Sequence, residues 1–122
     1  MKQDNKKVGA IGEDAATAWL RKKGYRILER NFHTRWGEID IIAKFNDKTI
    51  FVEVKTKTGE QYGEPWEMIN RQKYQQVKNM AQVYLTKNGL GEVACRIDVV
   101  GVWLNLEHEV EKIEHWEDVQ FE

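Results

Sequence analysis

Between Gly37 and Lys57 the chain reads GEIDIIAKFNDKTIFVEVKTK, two β-branched runs separated by Asn46 and Asp47. Side chains alternate across a strand, and Asn and Asp suit tight turns, so the segment predicts a hairpin of strands over 38–44 and 49–57. In the second strand Ile50, Val52 and Val54 face one way, and Phe51, Glu53 and Lys55 the other. One of these faces is expected to be core. Asp40, in the first strand, joins Glu53 if the pairing register allows. An ionised carboxylate enclosed among apolar side chains costs on the order of several kcal/mol unless a partner or a bound cation relieves it. The hairpin therefore constrains both the fold and what its polar residues are for.

The flanking sequence supplies layers to cover it. Ile11, Ala15, Ala18 and Trp19 recur at helical spacing, which predicts a helix over 8–23 stopped by Gly24. YRILERNF at 25–32 has strand composition. Pro65 precedes a second helical pattern from about Trp66 to Lys87, carried by Ile69, Val77, Met80, Ala81 and Tyr84 and ended by KNGLG. VACRIDVVGVWL at 93–104 suits the interior of a sheet, and Val110, Ile113 and Trp116 allow an edge strand. The order α-β-β-β-α-β predicts an α/β fold, a mixed central sheet with flanking helices. At 122 residues the chain suits one domain over 1–122 that ends in an acidic segment, 105–122.

Charge is unevenly spread. Residues 1–104 hold 18 Lys or Arg against 13 Asp or Glu, and residues 105–122 hold one Lys against seven acids. The basic body permits a polyanionic partner that the net charge of −1 conceals. No apolar run approaches the roughly 18 residues of a membrane span, and the lysine-rich start lacks the apolar stretch of a signal peptide. A cytoplasmic protein with no membrane partner is expected. The single Cys95 has no cysteine in the chain to pair with.

Asp40, Glu53 and Lys55 form the constellation most charged with chemistry. Two carboxylates on one patch repel each other unless a proton or cation lies between them. With water and a substrate phosphate they make the oxygen-only ligand set of Mg²⁺ or Mn²⁺, and a lysine nearby can orient water or offset charge on the phosphate. The competing reading is a set of cross-strand ion pairs with Lys55 and Arg35. Elsewhere, GAIGED lacks the lysine and spacing of a phosphate loop, so Gly9 and Gly12 are expected to serve packing or a tight helix start. His33, His108, His115 and Cys95 show no zinc spacing. Trp36 and Trp66 stand ready either to pack or to stack on bases. Asp98 is expected to pair with Arg96 or Arg26. Lys73 falls between Ile69, Val77, Met80 and Tyr84 on the helical wheel, and either packs its stem there or reaches a carboxylate or a phosphate.

GEID followed across a hairpin by VEVK resembles the PD-(D/E)XK signature of the restriction-endonuclease-like superfamily. More closely, GxxGEDxAxxxLxxxGY, ILERNF, GEIDIIA, FVEVKTK, YGEPWE and RIDVV together resemble the small bacterial YraN-type family over about residues 9–103. Archaeal Holliday-junction resolvases are the nearest likeness within the superfamily. The resemblance implies a restriction-endonuclease-like fold in which Asp40, Glu53 and the Val54 carbonyl hold Mg²⁺ or Mn²⁺ and Lys55 serves the attacking water. It also makes Glu13 the first-helix glutamate, for which the competing reading is an acid favoured by the positive end of its helix. Ile39 stands where the signature often has proline. Arg35, Lys57, Gln72 and Lys73 are the candidate contacts to nucleic acid. The function implied is a Mg²⁺-dependent DNA nuclease acting on branched or structured DNA, as a homodimer by analogy with resolvases. The alternatives are a non-catalytic nucleic-acid-binding or protein-interaction module on the same fold, and a dimerising scaffold without nucleic acid.

Overall fold

The structure, a computed structural model, describes residues 2–59, 68–91 and 93–121, with side chains from residue 5 onward. Its elements are α1 (Lys2–Lys22), β1 (Arg26–Thr34), β2 (Gly37–Phe45), β3 (Lys48–Thr58), α2 (Arg71–Lys87), β4 (Cys95–Leu104) and β5 (Val110–Trp116). The strands form one sheet in the order β1-β2-β3-β4-β5. β1, β2 and β3 are an antiparallel meander, β3 and β4 run parallel, and β5 returns antiparallel to β4. A parallel neighbour requires a crossover connection, and α2 lies in it. This mixed α/β arrangement is compatible with a restriction-endonuclease-like fold, with β5 as the edge strand that Val110, Ile113 and Trp116 suggested.

Both faces of the sheet are core, where the alternation led us to expect one. Ile41, Ile50, Val52, Val100 and Val102 pack with Leu20 on the α1 side, while Ile42, Phe51 and Trp103 pack with Val77 and Met80 on the α2 side. Each fully buried side chain of this kind contributes roughly 1.5–3 kcal/mol. Together they offset the cost of enclosing a few charges.

The helix boundaries also differ from the periodicity. α1 begins at Lys2 rather than residue 8, because its first turns are polar and carry no apolar stripe to read. Gly24, at φ 97°, ends it by adopting the left-handed conformation that glycine accepts without strain. α2 begins at Arg71 rather than near Trp66: Asn70 has extended backbone angles and its side chain accepts from the Lys73 N–H at 2.8 Å, a helix N-cap. Ile69 therefore precedes the helix. The motif YGEPWE, with Pro65 and Trp66, lies outside the described residues. Among the described residues no helix is long and apolar enough to cross a membrane.

Candidate active site

The ladder between β2 and β3 runs from Phe45↔Lys48 to Ile41↔Val52 and goes no further. At the next step Asp40 Oδ2 accepts the Val54 N–H at 2.8 Å, so a carboxylate takes the place of a backbone carbonyl where the two strands part. Ile39 and Ile42 also share the α2-side cluster although they are three apart, which means that the alternation of β2 is interrupted beside Asp40. In an extended strand the N–H and C=O of one residue lie along the same edge, so the Val54 carbonyl opens toward the same gap.

Glu53 faces that gap from β3 on the α2 side. It is only 8% exposed, and its Oε1 is buried with no hydrogen-bond donor among the described residues. Its other oxygen, Oε2, lies 3.6 Å from Lys73 Nζ, which also donates to Gln76 Oε1 at 3.2 Å. The Asn70 cap places Lys73 in the first turn of α2, from which its ammonium meets the carboxylate. Burial pushes the Glu53 carboxyl far above the ordinary range, and the Asp40 charge adds to this while Lys73 opposes it. Burial likewise raises Asp40, helped by Glu13 and Glu38 and opposed by the Val54 N–H. The two acids thus border one poorly solvated space with one ammonium beside Glu53. The ion pair to Glu53 comes from Lys73, and neither Lys55 nor Arg35 makes the cross-strand pairs considered from sequence.

The rim has two sides. Toward α2, Glu38, Asp40, Glu53, Lys55, Asn70 and Lys73 border a hollow of about 440 Å³. Toward α1, a hollow of about 760 Å³ is bordered by Glu13, Arg30, Glu38, Asp40 and Lys55. Lys55 is exposed, stands between the two and has no ion-pair partner among the described residues. Glu13 is held by Arg30, whose Nε donates to it at 3.1 Å. Because α1 begins at Lys2, Glu13 sits near the middle of the helix, which removes the helix-end explanation for it. Gly12 explains how it gets there: a Cβ at that position would stand 1.8 Å from Thr56 Oγ1, so α1 rests on β3 only because residue 12 has no side chain. That close packing, foreseen for the glycines, is specific to Gly12, since a Cβ on Gly9 would meet nothing within 4 Å.

Sequence reading missed Glu38, whose charge raises both Asp40 and Glu53. Its spacing of two from Asp40 was the available signal. Of the candidate nucleic-acid contacts, Gln72 and Lys73 lie on the first turns of α2, and Arg35 is on the β1–β2 turn with its guanidinium 4.5 Å from the centre of the Trp36 ring. Lys57 is not brought to the site: it lies opposite Trp103 further along β3 and borders neither hollow.

Asp98, His115 and Glu117 form the group of three ligating side chains that lie within 4.8 Å of one another. Their geometry is that of a closed network. Asp98 is fully buried and pairs with Arg96 Nε at 3.0 Å, as expected, and it also accepts from the Asp118 N–H at 3.0 Å. His115 Nε2 stands 2.7 Å from Asp98 Oδ2, and Lys23 Nζ donates to Nδ1 at 2.9 Å, which leaves Nε2 to carry the proton. Tyr25 donates to Glu117 at 2.8 Å. Every inward-facing acceptor of this group already has a donor.

The profile of the uncharacterised protein family UPF0102 matches residues 12–102, a span that contains Glu13, Asp40, Glu53, Lys55 and Lys73 and stops short of β5. The chain is 44% identical over 117 residues to a UPF0102 protein of Caldanaerobacter subterraneus subsp. tengcongensis, covering 94% of this chain and 96% of the relative. It is 49% identical over 102 residues to a UPF0102 protein of Alkaliphilus oremlandii, covering 82% and 87%. A UPF0102 protein of Clostridioides difficile is 42% identical over 101 residues, 83% of this chain and 89% of the relative.

Proposed function

The chain belongs to the uncharacterised protein family UPF0102, and from the geometry around Asp40 and Glu53 we propose that it is a divalent-metal-dependent nuclease that hydrolyses phosphodiesters of DNA. The observation that carries the reading is the under-satisfied pair: a part-buried Asp40 and a buried Glu53 whose Oε1 meets no donor among the described residues. A structural role asks for partners on both oxygens, and a bound cation supplies what is missing.

The donor set fits a hard divalent ion. Asp40, Glu53 and the Val54 carbonyl offer oxygen alone, and Mg²⁺ characteristically takes one or two protein carboxylates and fills its remaining positions with water and substrate. When bound, the ion supplies charge neutralisation at the phosphate and acidifies a water. The protein's own residues do the rest. Lys55, exposed on the rim, orients a water and offsets charge developing on the phosphate. Lys73 holds Glu53 in place. The first turn of α2 carries no acid, so the positive end of that helix also favours phosphate at the hollow. DNA is the better substrate chemically, because RNA brings its own 2′-hydroxyl nucleophile whereas DNA needs a water activated for it.

The Lys73–Glu53 pair favours a second reading, a DNA-binding module without catalysis, in which the ammonium takes the cation's place. Incubating linear duplex, single-stranded, flap and four-way-junction DNA with Mg²⁺ or Mn²⁺ separates the two. Cleavage by the parent and none by a Lys55→Ala variant from the same preparation supports the nuclease, and equal cleavage by both opposes it. A cytoplasmic homodimer completes the proposal. Light scattering that shows monomer alone at high concentration removes the dimer.

A further inference from the structure

Trp36 occupies the β1–β2 turn and is 61% exposed. Its backbone is nevertheless held on both sides: its N–H donates to Thr34 Oγ1 at 3.2 Å, and its carbonyl accepts from Gln76 Nε2 at 3.0 Å. The next residue, Gly37, has φ 152°, and a Cβ there would approach the Gln76 side chain to 2.7 Å, so α2 packs directly on the turn. The Arg35 guanidinium lies 4.5 Å from the ring centre and is its sole ring partner among the described residues. The indole is thus fixed at its base and open beyond it. This is a platform held in position before any ligand arrives.

The surface beside it is suited to a polyanion. α2 carries four basic residues and five amides in 17 positions, and no acid. With Trp36, its Arg71, Lys73, Gln76 and Lys78 border a hollow of about 1180 Å³. Asn70 and Lys73 border this hollow and the carboxylate hollow alike, so the two adjoin at the start of α2. A strand whose phosphate lies at Asp40 and Glu53 can follow the cations of α2 to the indole. An aromatic face accepts a base only when that base has left its own stack. Bases inside an intact duplex offer no such face.

We infer that Trp36 is a stacking platform for an unpaired nucleotide, and that the substrate is single-stranded DNA or the single-stranded part of a branched one. The inference rests on the nuclease reading for the position of the cleaved phosphate but not for binding, which is measured without metal. The test is fluorescence anisotropy in EDTA at low salt with a labelled 15-nucleotide oligo-dT, an oligo-U of the same length, and a blunt-ended duplex with G·C pairs at both ends. The parent is expected to prefer oligo-dT. Trp36→Ala is expected to weaken oligo-dT binding by about five- to a hundredfold with the duplex unchanged, and Trp36→Phe to restore most of it. Melting temperatures of both variants near the parent's show that the fold is kept.

Oligo-dT binding unchanged in Trp36→Ala, an equal loss for oligo and duplex, or no oligo binding by the parent overturns the platform. Tighter binding of oligo-U overturns DNA as its occupant. Trp36-dependent binding without metal-dependent cleavage overturns the nuclease instead and leaves the platform standing.

Discussion

The molecule buries two acid clusters, one on each side of the parallel pair β3 and β4, and treats them oppositely. Asp98 on β4 is enclosed completely, yet hydrogen bonds from His115, Arg96 and the Asp118 N–H outweigh its burial and hold the carboxyl below the ordinary range. Glu53 is enclosed and Asp40 part-buried with too few donors, and burial drives both above it, with the Asp40 charge adding at Glu53 and the Glu13 and Glu38 charges adding at Asp40. A buried charge with all its partners ties elements together. One without them is a standing cost, and the protein tolerates it where something else is to be bound.

The largest effect should come from breaking the satisfied cluster. Asp98→Ala strips Arg96, His115 and a backbone N–H of their common acceptor, and should cost about 3–5 kcal/mol in denaturant unfolding, the range for an orphaned buried ion. The same operation at the other cluster should have the opposite sign. Glu53→Gln removes a repulsion and should leave the metal-free protein as stable as the parent or more so, by about 1–2 kcal/mol at pH 8 and above.

The pH dependence separates the clusters again. Glu53 has its folded value raised to about 8, so the proton it holds favours the native state. That contribution is complete below the ordinary carboxylate range and is lost as the pH rises toward 8 and past it. Asp98 is lowered, so its contribution is present above the ordinary range and lost on acidification. Thermal melts of the metal-free parent should therefore fall between about pH 5 and pH 9 relative to Glu53→Gln. Parallel curves for the two proteins contradict this.

Two smaller changes sharpen the comparison. Gly12→Ala gains helix propensity, but its methyl meets Thr56, and the overpacking should cost about 1–3 kcal/mol. Thr56→Ala should return much of that loss in the double variant, which shows that the glycine serves the approach of α1 to β3. Lys73→Met keeps a long apolar stem but removes the ammonium beside Glu53, so it should cost less than about 1 kcal/mol while Glu53 is protonated and more once the pH passes about 8. It should weaken DNA binding and flatten its salt dependence.

Much of this was legible from residue order. The hairpin, with Asn46 at φ 55° in its turn, and the acid on each of its strands follow from period-two alternation and turn chemistry. Other features depend on register and packing, which composition does not carry. The parting of β2 from β3 at Asp40, the Lys73–Glu53 pair and the seating of Gly12 on Thr56 each join residues far apart in sequence. The two-sided core was hidden because Glu53 and Lys55 lend a polar look to a strand face whose other members, such as Phe51, are buried. The paired state of His115 was equally hidden, since its partners Lys23 and Asp98 lie on other elements.

The most direct test of the central claim is calorimetric titration of Mn²⁺ into the metal-free protein at pH 8, beside Asp40→Asn, Glu53→Gln and Glu117→Gln. The Asp40–Glu53 site should bind the ion in the parent and in Glu117→Gln, with binding lost in the other two variants while their folds persist. Binding that survives in Asp40→Asn and Glu53→Gln, or that disappears with Glu117→Gln, contradicts the account.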